Sequence, residues 1–462
     1  MILIAVILLA LYVGFYSLSL TAIFKGKLEY VLYYSAIFFP VYTVFLAINY
    51  GVFESKVIVS LLQYSKELLI FGALGIWLLG QKNVLRRSWF LSSLDYCFIG
   101  FIVLSLVYFV LPIGEASFLN KAIYFKNILL IGVFYFLGRN VTIDFTGWGN
   151  FFKIVFTLSI VAVVIVLFEK LFATHFHSLI GYAKYNQVVK GLDPGGVFGL
   201  TFTFEAQDGQ ARYGAFFANP LEFSASMLIV VASSIILFLS VPFKSNKYKY
   251  LFFLACAFIC VVLAFSRATF LAFFLMLIFI AFLLKYYRIL WAVFGVGLAL
   301  TLYIAFFAAD EVRYFVIDTI TFENSSSVTH IIDWLEAVES MISNPMGIGL
   351  ATSGNAGGVE KELQIGGENQ YLIYGVQLGF IGLVLYLAML LIGISHAWKA
   401  FRLAPKRELA MASFVAASVK FGLLLPLFTA NAEAYLFVSL ISWWLIGQAE
   451  TTYQTYRPRN FK

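Results

Sequence analysis

Residues 251–284 read LFFLACAFICVVLAFSRATFLAFFLMLIFIAFLL, and the only charge in the stretch is Arg267. Two apolar runs flank the short turn Phe265-Ser266-Arg267-Ala268. Long continuous runs of this kind suit helices, which satisfy their own backbone hydrogen bonds while crossing lipid. An outer-membrane barrel would instead show alternating strands of about ten residues. The pattern extends along the chain: 62% of its 462 residues are hydrophobic and 12% are charged, against about 25% charged in a soluble protein. The expected fold is an all-α polytopic membrane protein of about thirteen spans, within a range of eleven to fourteen. Span centres are expected near Leu11, Tyr42, Leu69, Leu104, Leu130, Val161, Ile229, Phe258, Met276, Gly297, Leu385, Val419 and Leu440. No repeat, no soluble terminal domain and no cleavable leader is evident, so the first apolar segment reads as a span. Cys97, Cys256 and Cys260 lie in apolar runs and read as packing residues.

Charge placement sets the expected orientation. The net charge of +7 would suggest nucleic acid in a soluble protein, but here its distribution matters more. Lys25/Lys27, Lys82/Arg86/Arg87, Lys244/Lys247/Lys249, Lys285/Arg288, Lys399/Arg402/Lys406/Arg407 and Arg457/Arg459/Lys462 share one face in a thirteen-span reading. The positive-inside rule makes that face cytoplasmic, with the C-terminus inside. Two long connectors are then expected outside, over residues 173–218 and 308–366. Loops of this length in a compact domain are usually functional. In the second, Ser325-Ser326-Ser327 can cap a helix. Ile331, Ile332, Trp334, Leu335, Val338, Met341 and Ile342 recur at helical spacing, with Asp333, Glu336 and Glu339 largely between them. This reads as an amphipathic helix ended by Asn344-Pro345, lying on the membrane or capping the bundle.

Polar groups at membrane depth are functional candidates. Arg212 precedes Asn219-Pro220, where the first connector enters a span. A guanidinium beside a helix N-terminus attracts an anion such as phosphate, or simply lipid headgroups. Arg267 in its short turn calls for a partner, or snorkels to the headgroups. Glu368, at the start of a span, can act as a general base, or it is an acid favoured by the helix dipole. His175 and His177 form a poor metal signal without further ligands. Lys66-Glu67 reads as a buried ion pair or a site element, Lys126 and Arg139 frame the fifth span, and Glu169-Lys170 reads as a solvated helix end. There is no phosphate loop of the Gly-x4-Gly-Lys-Ser/Thr type and no His-Glu-x-x-His, and the outer loops carry no Asp-x-Asp. Neither a nucleotide-driven pump nor a metal or other cofactor is expected.

Taken together and in order, these elements resemble the bacterial O-antigen ligase and O-antigen polymerase superfamily. The resemblance rests on Arg212-Tyr213-Gly214-Ala215-Phe216-Phe217-Ala218-Asn219-Pro220, then Ser266-Arg267, then Trp334 followed by Asn344-Pro345-Met346-Gly347-Ile348-Gly349. It ends with Glu368-Asn369, nine residues, and Gly379-Phe380-Ile381-Gly382. Glu368 stands where the ligases have a histidine, and His330 stands near where many members have an arginine. The absence of that ligase histidine favours the polymerase branch over the ligase branch.

The resemblance implies a multi-spanning glycosyltransferase of the C-type architecture, acting at the periplasmic face of the inner membrane. Its donor would be an undecaprenyl-diphosphate-linked oligosaccharide, with membrane lipid and a chain-length regulator protein as further partners, and no nucleic acid. The catalytic set would be Arg212 and Arg267 on the diphosphate and Glu368 on the acceptor. Asn369, Asn219, Tyr213, His330 and Trp334 would bind substrate, the aromatic rings by stacking on sugars. The competing readings are a ligase to lipid A core or another acceptor, a flippase or transporter, and a scaffolding protein. A transporter should show inverted repeats and broken helices meeting at the midplane. Neither is evident.

Overall fold

The computed structural model describes residues 2–80, 91–206, 209–240, 247–308, 325–355 and 357–458, together with residues 310, 313, 317 and 321. Every expected span centre falls inside a helix. Six precede the first connector: α1 (Ile2–Phe24), α2 (Tyr30–Phe53), α3 (Lys56–Gly80), α4 (Ser93–Val110), α5 (Phe118–Asn140) and α6 (Phe145–Leu171). That connector holds the short α7 (Phe176–Leu179) and α8 (Tyr182–Tyr185). Then come α9 (Pro220–Ser240), α10 (Lys249–Leu263), α11 (Arg267–Leu284) and α12 (Arg288–Phe306). The second connector carries α13 (Ser325–Ser343), and α14 (Gln370–Leu403), α15 (Arg407–Thr429) and α16 (Leu436–Tyr456) complete the chain. The clusters at Lys82/Arg86/Arg87, Lys244 and Arg459/Lys462 lie outside the described residues, as does most of 309–324.

Ten of these helices are long and apolar enough to cross a bilayer, and Lys249–Leu263 and Val293–Phe306 are shorter apolar helices. The last of the thirteen expected spans, α16, is more polar for a physical reason. It is sheathed by α5, α14, α15 and α2, so Gln448, Glu450 and Thr452 are buried in protein rather than exposed to lipid. His396 on α14 binds Glu450 at 2.6 Å. The α5–α16 contact is close because both helices present glycine. A Cβ on Gly138 would collide with the Trp444 backbone, and one on Gly447 with that of Tyr135 and Arg139. Small residues let helix backbones approach in this way.

The second connector is fixed to α14 through a break in that helix. Gly379 has φ 69° and ψ −172°, a region essentially restricted to glycine. In an unbroken helix the Val376 and Gln377 carbonyls would accept from residues 380 and 381. Here Val376 accepts from Ile348 N–H at 2.9 Å and Gln377 from Gly349 N–H at 3.1 Å. The freed Phe380 N–H donates to the Pro345 carbonyl at 3.0 Å. The Asn344–Gly349 and Gly379–Gly382 motifs are therefore two halves of one joint. A Cβ on Gly379 would press into the Pro345 carbonyl. Gly379→Ala is expected to destabilise the protein by about 3 kcal/mol, the upper range for one strained residue. Thermal unfolding in detergent measures this, and a loss well under about 1 kcal/mol would show that the joint tolerates a side chain.

Across the joint, α13 lies against α14, burying Ala337 and Met341 beside Val376. The serine run lies within α13 as described, rather than ahead of it.

Candidate functional site

The first connector is stapled to the bundle before it reaches Arg212. Glu169, expected to be a solvated helix end, is instead 1% exposed. Its carboxylate accepts from Phe176 N–H at 2.8 Å and Ala215 N–H at 3.2 Å, which ties both ends of the connector to α6. Arg212 N–H donates to the Phe204 carbonyl at 2.8 Å, and Tyr213 N–H to the Leu263 carbonyl at 3.2 Å. Leu263 ends α10, so this bond sets Arg212 beside the Phe265-Ser266-Arg267 turn. Ser266 caps α11 by accepting from Thr269 N–H at 3.4 Å, and Arg267 opens that helix.

The other side of the site comes from the second connector. Gly366 N–H donates to Glu336 at 3.3 Å. A Cβ on Gly367 would collide with the Asp333 carboxylate. The paired glycines thus let α13 pass close to Glu368. Glu368 accepts from the Asn355 amide at 3.2 Å. Next to it Asn369 caps α14, its side-chain oxygen accepting from Tyr371 and Leu372 N–H at 3.0 and 3.2 Å.

The charges meet at this end of the bundle. Burial lowers the Arg212 pKa, as does the neighbouring Arg267, while Glu368, Tyr435 and Glu205 pull it back up. An arginine keeps its proton regardless. Burial holds the Glu368 carboxyl above the usual carboxylate range; His330 and Arg212 oppose that rise and Asp333 adds to it. Burial and the Glu368 and Glu222 carboxylates keep the Tyr435 phenol protonated. Five segments thus bring Arg212, Arg267, His330 with Asp333, Glu368 and Tyr435 within electrostatic reach of one another. Arg212 Nε is buried without a hydrogen-bond partner among the described residues. Two clustered guanidinium groups beside a carboxylate suit binding of a polyanion while a neighbouring hydroxyl is deprotonated.

The remaining expected residues divide. Trp334 stacks near His330, with ring centroids 6.1 Å apart, and contacts Phe428 at 4.7 Å. Its Nε1 and His330 Nδ1 are buried without partners among the described residues. Tyr213 is buried and packs 5.3 Å from the His175 ring. Asn219 caps α9, accepting from Glu222 N–H at 2.8 Å. The two histidines of the first connector are packing groups: His177 Nε2 bonds the Phe217 carbonyl at 2.7 Å, and burial pushes its pKa down to about 3 and that of His175 to about 4. Glu67 pairs with Lys126 at 2.5 Å rather than with its neighbour Lys66, whose ammonium lies 3.8 Å over the Tyr42 ring. Arg139 pairs with Asp95 at 2.7 Å.

Sequence reasoning missed Tyr435 as a site group and read Asp333 only as part of the polar face of α13. Tyr435 lies in the run Asn431-Ala432-Glu433-Ala434-Tyr435, a polar interruption between two apolar spans. The rule that singled out Glu368 applies equally there.

No curated protein matches the chain. Residues 251–387 match the family model described as O-antigen ligase. The matched span includes Arg267, His330, Trp334, Glu368 and the Gly379 joint, and Arg212 lies ahead of it. This segment, about a third of the chain, is similar to the O-antigen ligase family, and the chain around it carries ten helices long and apolar enough to cross a membrane.

Proposed function

We propose that the protein is a surface-polysaccharide polymerase. It joins oligosaccharide repeat units carried on undecaprenyl diphosphate, and works at the periplasmic face of the inner membrane with its C-terminus in the cytoplasm. The observation that carries this reading is the meeting of Arg212, Arg267 and Glu368 at the connector end of the bundle. In the reaction an acceptor hydroxyl oxygen bonds to the donor's anomeric carbon. The bond from that carbon to the diphosphate oxygen breaks, and the diphosphate leaves with the electron pair. The acceptor proton passes to Glu368. Arg212 and Arg267 stabilise the leaving charge, so no metal is needed for that task. Transfer is expected to persist in excess EDTA.

The match to the O-antigen ligase model favours a second reading, transfer of the finished glycan to lipid A core or another acceptor. Product analysis separates the two. Purified protein given only the polyprenyl-linked repeat unit should make longer polyprenyl-linked chains. Product formed only when lipid A core is supplied would sink the polymerase reading.

The pH dependence follows from the raised Glu368 pKa. A base works when unprotonated, so the rate should fall as pH drops through that raised value, above the range of an ordinary glutamate. Arg212 favours the carboxylate, so Arg212→Lys should leave the acid limb nearly in place, while removing the charge should move it to higher pH. Glu368→Gln is expected to lower the rate about a hundredfold or more and abolish the limb. Long-chain product from Glu368→Gln at the ordinary rate would remove the base assignment.

A further inference from the structure

A cleft of about 510 Å³ opens between α11, α14 and α15, at the end of α14 away from Glu368. Its wall is aromatic. Phe279 stacks on Phe421 with centroids 4.2 Å apart and meets Trp398 edge-on at 5.5 Å. Leu391 stands 61% exposed along it. Its polar end is cationic, formed by the exposed Lys399 and Arg402. The Arg402 guanidinium sits 5.5 Å from the Trp398 ring and donates weakly to the Leu283 carbonyl at 3.5 Å. The same helix ends carry exposed Lys285, Arg288, Lys406 and Arg407.

These helices are bilayer-crossing by length and composition, so the cleft faces acyl chains along its wall and headgroups at its cationic end. From Leu391 to Arg402 the helix rises about 16 Å, at 1.5 Å per residue. That is close to half of a hydrocarbon core about 30 Å thick, or one leaflet. We propose that this cleft binds one anionic glycerophospholipid, with its phosphate between Lys399 and Arg402 and an acyl chain along Phe421 and Leu391. Wall length and charge both select that occupant. An undecaprenyl chain is several times longer than one leaflet, and its diphosphate would lie at the wrong end of α14 to reach Arg212. A zwitterionic headgroup gains little from the cationic end.

Native mass spectrometry of the full chain tests this by reading the first lipid bound. The probes are phosphatidylglycerol and phosphatidylcholine with identical acyl chains, and undecaprenyl phosphate. Phosphatidylglycerol is expected to bind roughly thirtyfold more tightly than phosphatidylcholine, the preference that two interfacial cations provide. Lys399→Gln with Arg402→Gln should bring the two lipids level. Both side chains are exposed, so folding should survive. Leu391→Trp, which fills the cleft, should weaken both lipids. Equal affinities for the unaltered protein, or a phosphatidylglycerol preference unchanged by the double substitution, would overturn the site. Displacement of phosphatidylglycerol by an equal concentration of undecaprenyl phosphate would overturn the choice of occupant.

Discussion

Arg212→Ala is expected to slow glycan transfer by about a hundredfold to a thousandfold while leaving the protein as stable as before. The two halves of this expectation have one cause. Arg212 is half-buried, its Nε is shielded from solvent and lacks a hydrogen-bond partner among the described residues, and Arg267 stands close enough to repel it. Glu368 and Glu205 offset only part of this. Such a group adds little to folding, because taking a charge out of water is costly unless it is fully paired. It serves a bound polyanion, whose leaving charge it meets without reorganisation. Arg212→Lys keeps the charge but loses the planar fork that grips two oxygens, so it should recover only part of the rate. Turnover on a polyprenyl-diphosphate donor and the melting temperature, measured on the same preparations, check both halves. Ordinary turnover in Arg212→Ala would end its role on the leaving group. A melting temperature lowered by several degrees would mark it as a folding residue instead.

The fold was legible because bilayer-crossing helices carry a signal of their own, long runs set by the thickness of lipid. The signal holds even for α16, whose first half is mostly apolar although Gln448, Glu450 and Thr452 of its second half are buried inside the protein. The Gly379 joint was not legible as such. Its halves, near Gly347 and Gly379, are visible as separate motifs, and only tertiary hydrogen bonds show that one completes the other. The site was legible where a charge breaks an apolar run, as at Arg267 and Glu368. Asn219 and Asn369 show the limit of that reading. An asparagine at a helix start caps the helix equally well in any sequence, and both do so here. Glu169 shows another limit. A carboxylate at a helix end looks solvated until the backbone N–H groups it accepts from are known.

The second large effect is on folding. Glu433→Ala is expected to destabilise the protein by about 3–5 kcal/mol, the cost of breaking a buried ion pair by removing one partner. Glu433 accepts from the Tyr386 hydroxyl at 2.7 Å, from Ser439, and from Trp443 Nε1 at 3.1 Å. Lys420, 1% exposed, stands 3.6 Å from the carboxylate and 3.7 Å from the Trp443 ring centroid. Removing the carboxylate strands an ammonium and three donors inside the bundle. Glu433→Gln keeps an acceptor but leaves the ammonium uncompensated, so it should lose nearly as much. Adding Lys420→Met to Glu433→Gln removes the stranded charge and should restore most of the loss, which makes the two substitutions strongly non-additive. Unfolding in detergent of the two single variants and the double measures that coupling. Equal losses in Glu433→Gln and the double variant would show that the pair does not act as a unit. The network also bears on the site. Glu433 N–H donates to the Gln370 side chain at 3.2 Å, which joins the turn carrying Tyr435 to the first residue of α14, two positions from Glu368. The double variant should therefore regain stability faster than turnover, since the turn would fold again without the carboxylate that fixes its register.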